Sequence, residues 1–451
     1  MKLPEKFIQR MKSMLGEEYP EFEAAFLNSA PAEGLRLNPI KCSNIPDFLK
    51  NAQAVPWCRD GYYVNKSELS GNHPYHIGGM FYFQEPSAMA VAEAANICPG
   101  DFVLDLCAAP GGKATQAGAK LMGEGLIIAN EIISSRACVL AENIQRFGLR
   151  NAIVTNESPH RLAEKFPEFF DKIIVDAPCS GEGMFRKEPQ AILEWSQEHT
   201  FSCGERQKKI IDSAVKMLKK GGTLVYSTCT FAPCENEGVC EYVLENYPDM
   251  HLAPINLPGL SDGKGEYINS DKDFSYTKRI FPHKASGEGH FLAVFCRDGE
   301  GVKYTPAPFM PDKQTEAALK LYREFEKSAL SVSLHGDFRL FGDNLYLVPM
   351  GIKLDKLKIV RGGLHLGICK KGRFEPSHAL ALALTPEDFS AVHNLTAISP
   401  DTKKYLHGDV IEGDAVGWCG IICDGLPIGW AKGSGGTLKN HFPKGLRLNN
   451  I

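Results

Sequence analysis

Val103-Leu104-Asp105-Leu106-Cys107-Ala108-Ala109-Pro110-Gly111-Gly112-Lys113 is the stretch whose reading decides the fold. With Phe102 ahead of it, the run to Leu106 is short, continuous and apolar, as expected of a strand buried on both faces of a parallel sheet. A Pro-Gly-Gly turn then hands over to a helical stretch spanning about 113–121. Small residues and glycines at that point let main chain approach a ligand at the carboxyl edge of a sheet, beside a helix amino terminus. Only two adjacent glycines are present, so the G-x-G-x-x-G pattern of a nicotinamide dinucleotide site is not met. The turn alone is equally compatible with a tight turn that binds nothing.

Alternating strands and helices continue on both sides of this turn. Strands are predicted over 126–129, 152–155, 172–176 and 223–227, and helices over 134–147, 204–219 and 235–246. Gly148 is placed to cap the second helix, and a late strand over 291–297 is expected to close the sheet edge. This alternation predicts an α/β fold, a Rossmann-like doubly wound sheet, over 81–300. Residues 1–80, interrupted by Pro31, Pro39, Pro46, Pro56 and Pro74, are expected to form a small α+β module that opens on a charged amphipathic helix over 1–10. The segment with His73, His76, Gly78 and Gly79 reads as a loop before a helix starting near Pro86. Pro306, Pro308 and Pro311 read as a linker within 301–395, which also holds a small α+β region. The Gly-rich end, 396–451, reads as a β-barrel-like domain.

Of 451 residues, 43% are hydrophobic and 23% charged, which excludes global disorder. No apolar run approaches the ~20 residues of a membrane helix, and the start lacks the apolar core of a signal peptide. Fourteen cysteines without an export signal predict reduced thiols in the cytoplasm. Cys419 and Cys423 read as structural thiols, and no metal site is expected. The net charge of −4 hides an asymmetry: residues 301–451 carry 19 Lys and Arg against 15 Asp and Glu. Lys353, Lys356, Lys358, Arg361, Lys370, Lys371 and Arg373 face only Asp355, and Lys432, Lys439, Lys444 and Arg447 follow the last acid, Asp424. Such clusters suit a phosphate backbone.

Three further blocks carry chemistry. Asn130-Glu131 ends the second strand about twenty residues beyond the Gly turn, where an acid can accept hydrogen bonds from ribose hydroxyls. Asp176-Ala177-Pro178-Cys179-Ser180-Gly181 and Ser227-Thr228-Cys229-Thr230 each follow a strand. A buried cysteine is usually an inert small hydrophobe, but two thiols in turns at one sheet edge are placed to meet over a substrate.

CAAPGGK from Cys107, DAPCSG from Asp176 and STCT from Ser227, in this order, resemble the Sun-type RNA cytosine-5 methyltransferases. The resemblance spans about 80–300 and includes Gln84-Glu85-Pro86-Ser87-Ala88-Met89, Arg279-Ile280-Phe281-Pro282-His283 and Glu288-Gly289-His290-Phe291. Gly425-Leu426-Pro427-Ile428-Gly429-Trp430 and Asn440-His441-Phe442-Pro443-Lys444-Gly445-Leu446-Arg447 are similar to the tail of the bacterial RsmF-type subgroup, which methylates small-subunit ribosomal RNA.

The resemblance implies S-adenosylmethionine as cofactor and covalent catalysis on cytosine. Cys229 would be the nucleophile that adds to carbon 6, and Cys179 would assist proton removal from carbon 5 and release of the adduct. Asp176 would hydrogen-bond the base and, if protonated, stabilise charge developing in the ring. Cys107, Ala108, Ala109, Pro110, Gly111, Gly112 and Lys113 would cradle the methionine part of the cofactor, with Glu131 on its ribose and Arg136 and Asp176 as further contacts. Ser158 stands in the nominal place of the family's adenine-side acid. Arg186 and Lys187 are expected on the RNA. The implied partner is 16S ribosomal RNA or the small ribosomal subunit, met by a monomer through an N-terminal RNA-binding module and a PUA-like C-terminal domain. The same core would serve transfer RNA or another ribosomal target. A catalytically silent RNA-binding assembly protein is the rival class, against which both cysteines and Asp176 speak.

Overall fold

The computed structural model describes residues 3–65, 69–302, 304–305 and 310–448, so Pro306 and Pro308 of the expected linker lie outside the described residues. A ten-stranded sheet occupies the centre. Its strands are β1 (Phe102–Asp105), β2 (Leu126–Asn130), β3 (Ala152–Thr155), β4 (Phe170–Asp176), β5 (Leu218–Thr228), β6 (Met250–Ala253), β7 (Ser261–Asp262), β8 (Lys278–Ile280), β9 (His290–Arg297) and β10 (Ile359–Gly362). They lie in the order β7-β8-β9-β5-β4-β1-β2-β3-β10, with β6 also paired to β9. The five strands β3, β2, β1, β4 and β5 run parallel. Val103, Leu104, Ile127, Ile128, Ile173, Ile174, Leu224 and Val225 are completely buried, as a sheet covered on both faces requires. The covering helices include α1 (Gly112–Lys120), α2 (Ser134–Arg146), α3 (Pro159–Lys165), α4 (Gln197–Met217) and α5 (Glu237–Asn246). Chain order reverses between β1 and β4, the switch point where such sheets open a ligand crevice.

Two expectations are corrected here. Strand β9 is not the edge: β8 pairs with it, and β7 with β8. The reason is in its composition, since Phe291, Leu292, Ala293, Val294 and Phe295 are all buried and an edge strand would expose part of that row. Arg361, read from sequence as part of a basic cluster suited to a phosphate backbone, sits in β10, which adds antiparallel to β3. It is 5% exposed; burial lowers its pKa to about 10, and its Nη1 donates to Gln145 Oε1 at 3.3 Å.

The N-terminal module has two helices, Glu5–Leu15 and Tyr19–Asn28, and a three-stranded antiparallel sheet of Gly61–Tyr63, Gly34–Leu37 and Phe81–Phe83. The first helix runs past the predicted end because Phe7, Met11 and Leu15 recur on one buried face. The expected loop around His73 holds a one-turn helix, Pro74–Ile77. Beyond 310, helix Lys313–Ala329 covers a four-stranded sheet of Asp337–Phe341, Asn344–Val348, Leu364–Lys370 and Arg373–Pro376. A five-stranded β-rich unit follows, in which Cys419 and Cys423 are buried. All fourteen cysteines are free thiols. Among the described residues, no helix is long and apolar enough to cross a membrane.

Arg36 fastens the N-terminal sheet to the start of α1. Its guanidinium, 1% exposed, donates to Gln84 Oε1 at 2.8 Å, Gly112 O at 3.1 Å and Thr115 Oγ1 at 2.9 Å. It lies over the Phe147 ring, and burial among neutral partners lowers its pKa to about 10. Arg36→Ala leaves buried acceptors unmet and a cavity, so urea unfolding should show a loss of about 2–4 kcal/mol. A loss within experimental error would show that the N-terminal sheet is held by other contacts.

Candidate active site

Turns leaving the carboxyl edges of β1, β2, β4 and β5 share one cavity of about 580 Å³. At one end it is lined by Cys107, Ala109, Glu131, Ile132, Ile133 and Arg136, and at the other by Cys179, Met184, His199, Arg206 and Cys229, with Asp176 also on its wall. The parallel register pairs Asp176 with Ser227, so the thiols that follow each of them emerge side by side. Cys179 Sγ and Cys229 Sγ are 3.3 Å apart.

The two cysteine turns are stapled together. Ser180 Oγ meets Thr230 Oγ1 at 2.9 Å, and the Ser180 main-chain N–H and hydroxyl donate to the Glu235 carboxylate at 3.0 and 2.5 Å. Gln207 Nε2 donates to the same carboxylate at 2.9 Å. Gly183 N–H donates to Cys229 O at 2.9 Å. A Cβ at Gly183 would stand 2.9 Å from that oxygen, so the close approach needs glycine.

The protonation states follow from these neighbours. The hydrogen bond shared with Cys229, and then burial, raise Cys179 well above the ordinary thiol value, so Cys179 holds its proton. Burial alone would raise Asp176, but Lys113 and His290 outweigh it and hold the carboxyl below the usual carboxylate range. Lys113 Nζ lies 2.7 Å from Asp176 Oδ2. Ser227 Oγ donates to Oδ1 at 2.8 Å, and His290 Nε2 stands 3.6 Å from the same atom. The structure therefore places Lys113 on Asp176 and favours the ionised carboxylate over the protonated form. Beneath it, burial and the Asp176 charge push Asp105 up to about 7.

At the other end, Glu131 is buried; its Oε1 accepts from Ile133 N–H at 2.9 Å. Arg136 spans Glu131 at 3.4 Å and Ala109 O at 2.8 Å, bracing the acid against the Gly turn. Ile132 is 62% and Ile133 49% exposed, an apolar wall where a flat ring can lie. These residues fit S-adenosylmethionine: a buried carboxylate for ribose hydroxyls, an apolar wall for adenine, and main chain with small side chains at Cys107 and Ala109 for the methionine part.

Of the expected cofactor turn, Cys107 and Ala109 line the cavity, while Ala108, Pro110, Gly111, Gly112 and Lys113 do not; three further expected residues stand elsewhere. Ser158 caps α3, its hydroxyl accepting from Arg161 N–H, and is not on the cavity wall. The Arg186 side chain, 6% exposed, is instead bound to Glu288 at 2.7 Å and to the carbonyls of Ala25, Ser29 and Gly287. Lys187 donates to Ala32 O at 3.1 Å and lies 3.8 Å from Glu288. Arg186 holds the second N-terminal helix, and Lys187 the segment that follows it, against the loop before β9, and little of the Arg186 guanidinium is left for a phosphate.

Glu235, Ser180, Ser227, Ile132 and Ile133 were not singled out from sequence. Two isoleucines directly after Glu131, where a polar turn is expected, were the one readable signal. The Glu235 contact depends on long-range packing. Burial raises the Glu235 carboxyl from 4.5 to about 7. A carboxyl raised on folding contributes fully only below its unfolded value, and that contribution is lost as pH rises through about 7. Wild-type stability should therefore fall between about pH 5 and pH 8, by up to about 3 kcal/mol relative to Glu235→Gln. Urea unfolding at both pH values measures this, and parallel pH dependence in the two proteins would exclude Glu235 as the group responsible.

Residues 92–296 match the family described as 16S rRNA methyltransferase RsmB/F. Residues 3–86, 324–384 and 393–448 match the N-terminal, first C-terminal and PUA domains of RsmF methyltransferases. Ribosomal RNA small subunit methyltransferase F of Escherichia coli O157:H7 is 32% identical over 98% of this chain and 96% of its own length. The protein of that name from Escherichia fergusonii is 33% identical over the same shares. Among solved structures, a methyltransferase homolog from Pyrococcus horikoshii is 28% identical with a TM-score of 0.58, over 65% of this chain and 95% of its own. NSun6 from Pyrococcus horikoshii, solved with SFG, is 21% identical with a TM-score of 0.58 over 66% and 99%, a likeness of fold. With the Rossmann-like sheet, the N-terminal module and the PUA domain all in place, the chain belongs to the RsmB/F family of 16S rRNA methyltransferases and carries the RsmF set of domains.

Proposed function

We propose that this chain uses S-adenosylmethionine to form 5-methylcytosine in 16S ribosomal RNA, in the cytoplasm, through a covalent adduct between Cys229 and the target base. The observation that carries this reading is the pair of thiols 3.3 Å apart beside an ionised Asp176. S-adenosylmethionine, when bound, supplies an electrophilic methyl group. The turn from Cys107 to Gly112, with Glu131, Ile132 and Ile133, would hold it.

Carbon 5 of cytosine is a poor nucleophile. Addition of the Cys229 sulfur at carbon 6 breaks the ring conjugation and concentrates electron density on carbon 5. The thiolate, not the thiol, is the form that attacks, and Cys179 Sγ stands 3.3 Å from the attacking sulfur. Asp176 accepts a hydrogen bond from the exocyclic amine, and Lys113 keeps positive charge beside a ring that gathers negative charge. After methylation, the remaining hydrogen on carbon 5 must leave as a proton before Cys229 can depart. Once Cys229 is bonded to carbon, its sulfur no longer accepts the Cys179 proton as a thiolate. The leading influence that raises Cys179 is then gone. Cys179 can then give its own proton to solvent, take the carbon 5 proton as a thiolate, and let the C5=C6 bond re-form as Cys229 leaves with the electrons of its bond to carbon 6.

Cys229→Ala should reduce methyl transfer by about 10⁴-fold or more while S-adenosylhomocysteine affinity is kept. Undiminished transfer would remove the nucleophile assignment. Cys179→Ala should accumulate a protein–RNA adduct visible as a shifted band on a denaturing gel, and normal turnover without such a band would contradict the release role. Bisulfite sequencing of ribosomal and transfer RNA from a strain lacking the gene names the target. Loss of one small-subunit cytosine mark fits the proposal, and loss only in transfer RNA overturns the substrate.

A further inference from the structure

The cavity takes in both Glu131 and the two thiols, and His199, Arg206 and Ile210 of α4 also line it. Two arginines line it. Arg136 is committed to Glu131 and Ala109 O. Arg206 is exposed on α4, and its Nη2 touches only neutral groups, Cys203 Sγ at 3.2 Å and Pro178 O at 3.5 Å. No carboxylate lies within ion-pair distance of it among the described residues. Pro178 immediately precedes Cys179, so the guanidinium rests on the very turn that presents the second thiol. Glu188 and Glu194 lie on the same wall and would repel a polyanion, which leaves Arg206 as the point on this rim where a phosphate is favoured.

A cytosine that reaches Cys229, Cys179 and Asp176 must leave its stack and enter base first, as bases do in other enzymes that modify them. Its ribose and phosphate then trail through the open end of the cavity, past Pro178. We propose that Arg206 binds the phosphate of the target nucleotide at the cavity mouth and so fixes the depth to which the base enters. This role rests on the proposed RNA substrate and adds the subsite that Arg186 and Lys187, turned into the protein, do not supply. The guanidinium offers a fork of N–H donors to phosphate oxygens, and neutral tethers on Cys203 and Pro178 aim that fork without neutralising it.

The test compares wild type, Arg206→Ala and Arg206→Lys on ribosomal RNA, with S-adenosylhomocysteine affinity measured alongside by calorimetry. Arg206→Ala should raise KM for RNA about 10- to 100-fold with cofactor affinity unchanged. The slope of log affinity against log salt should become shallower by about 0.7 to 1, as one phosphate contact is lost. Arg206→Lys, which keeps the charge but loses the fork, should keep the wild-type salt slope and recover only part of the affinity. If wild type methylates RNA and Arg206→Ala matches it in KM and salt slope, the phosphate subsite is overturned while the function stands. If Arg206→Ala loses cofactor and RNA affinity together and Arg206→Lys restores neither, the residue is structural and the subsite is again overturned. If wild type binds S-adenosylhomocysteine yet modifies no RNA, the substrate reading fails and the subsite fails with it.

Discussion

The parallel pairing of β4 with β5 is the constraint on which the site depends. Its register sets Asp176 against Ser227, and the 3.3 Å separation of Cys179 and Cys229 follows from that pairing. One thiol lies shortly after each strand end, so adjacent strands deliver adjacent sulfurs. Apolar burial on both faces makes the sheet stiff enough to hold that separation. The Ser180, Thr230 and Glu235 staple then removes the freedom that two separate turns would otherwise have.

The same neighbours sort the titratable groups into different states at one pH. Asp176 is kept ionised by an ammonium, while Asp105, close beneath it, is pushed toward the proton-bearing form by burial and by the Asp176 charge. Cys179 is raised by its hydrogen bond with Cys229 and by burial, and so keeps its proton. In the proposed reaction, bond formation at Cys229 would remove the first of these influences, so the base for the last step would become easier to form once the first step has occurred.

Much of this was legible in the residues. Apolar runs such as 102–104 and 173–175, bounded by turns, read as central strands, and turns at strand ends carried the thiols. The glycine turn and Glu131 are separated by about one strand–helix–strand unit, so their meeting at one edge was foreseeable. What escaped depends on packing between distant segments. Strand β10 joins β3 across about two hundred residues, which no local periodicity reports. Arg186 and Arg361 have the composition of surface cations, yet the first is consumed by Glu288 and three carbonyls and the second is buried beside β3. A basic residue in a sequence marks a charge, and only the fold says whether that charge faces solvent. For the same reason whole-chain charge was a poor guide, averaging an acidic catalytic portion with a basic C-terminal one.

The central claim is that Cys229, and not Cys179, bonds to the base. Ribosomal RNA carrying 5-fluorocytosine tests it most directly, because fluorine at carbon 5 cannot leave as a cation and the reaction stops at the adduct. Incubation with S-adenosylmethionine, nuclease digestion and peptide mass spectrometry should find the methylated fluorocytidine on the peptide containing Cys229. A modified peptide containing Cys179 instead, or transfer without any adduct, would contradict the account.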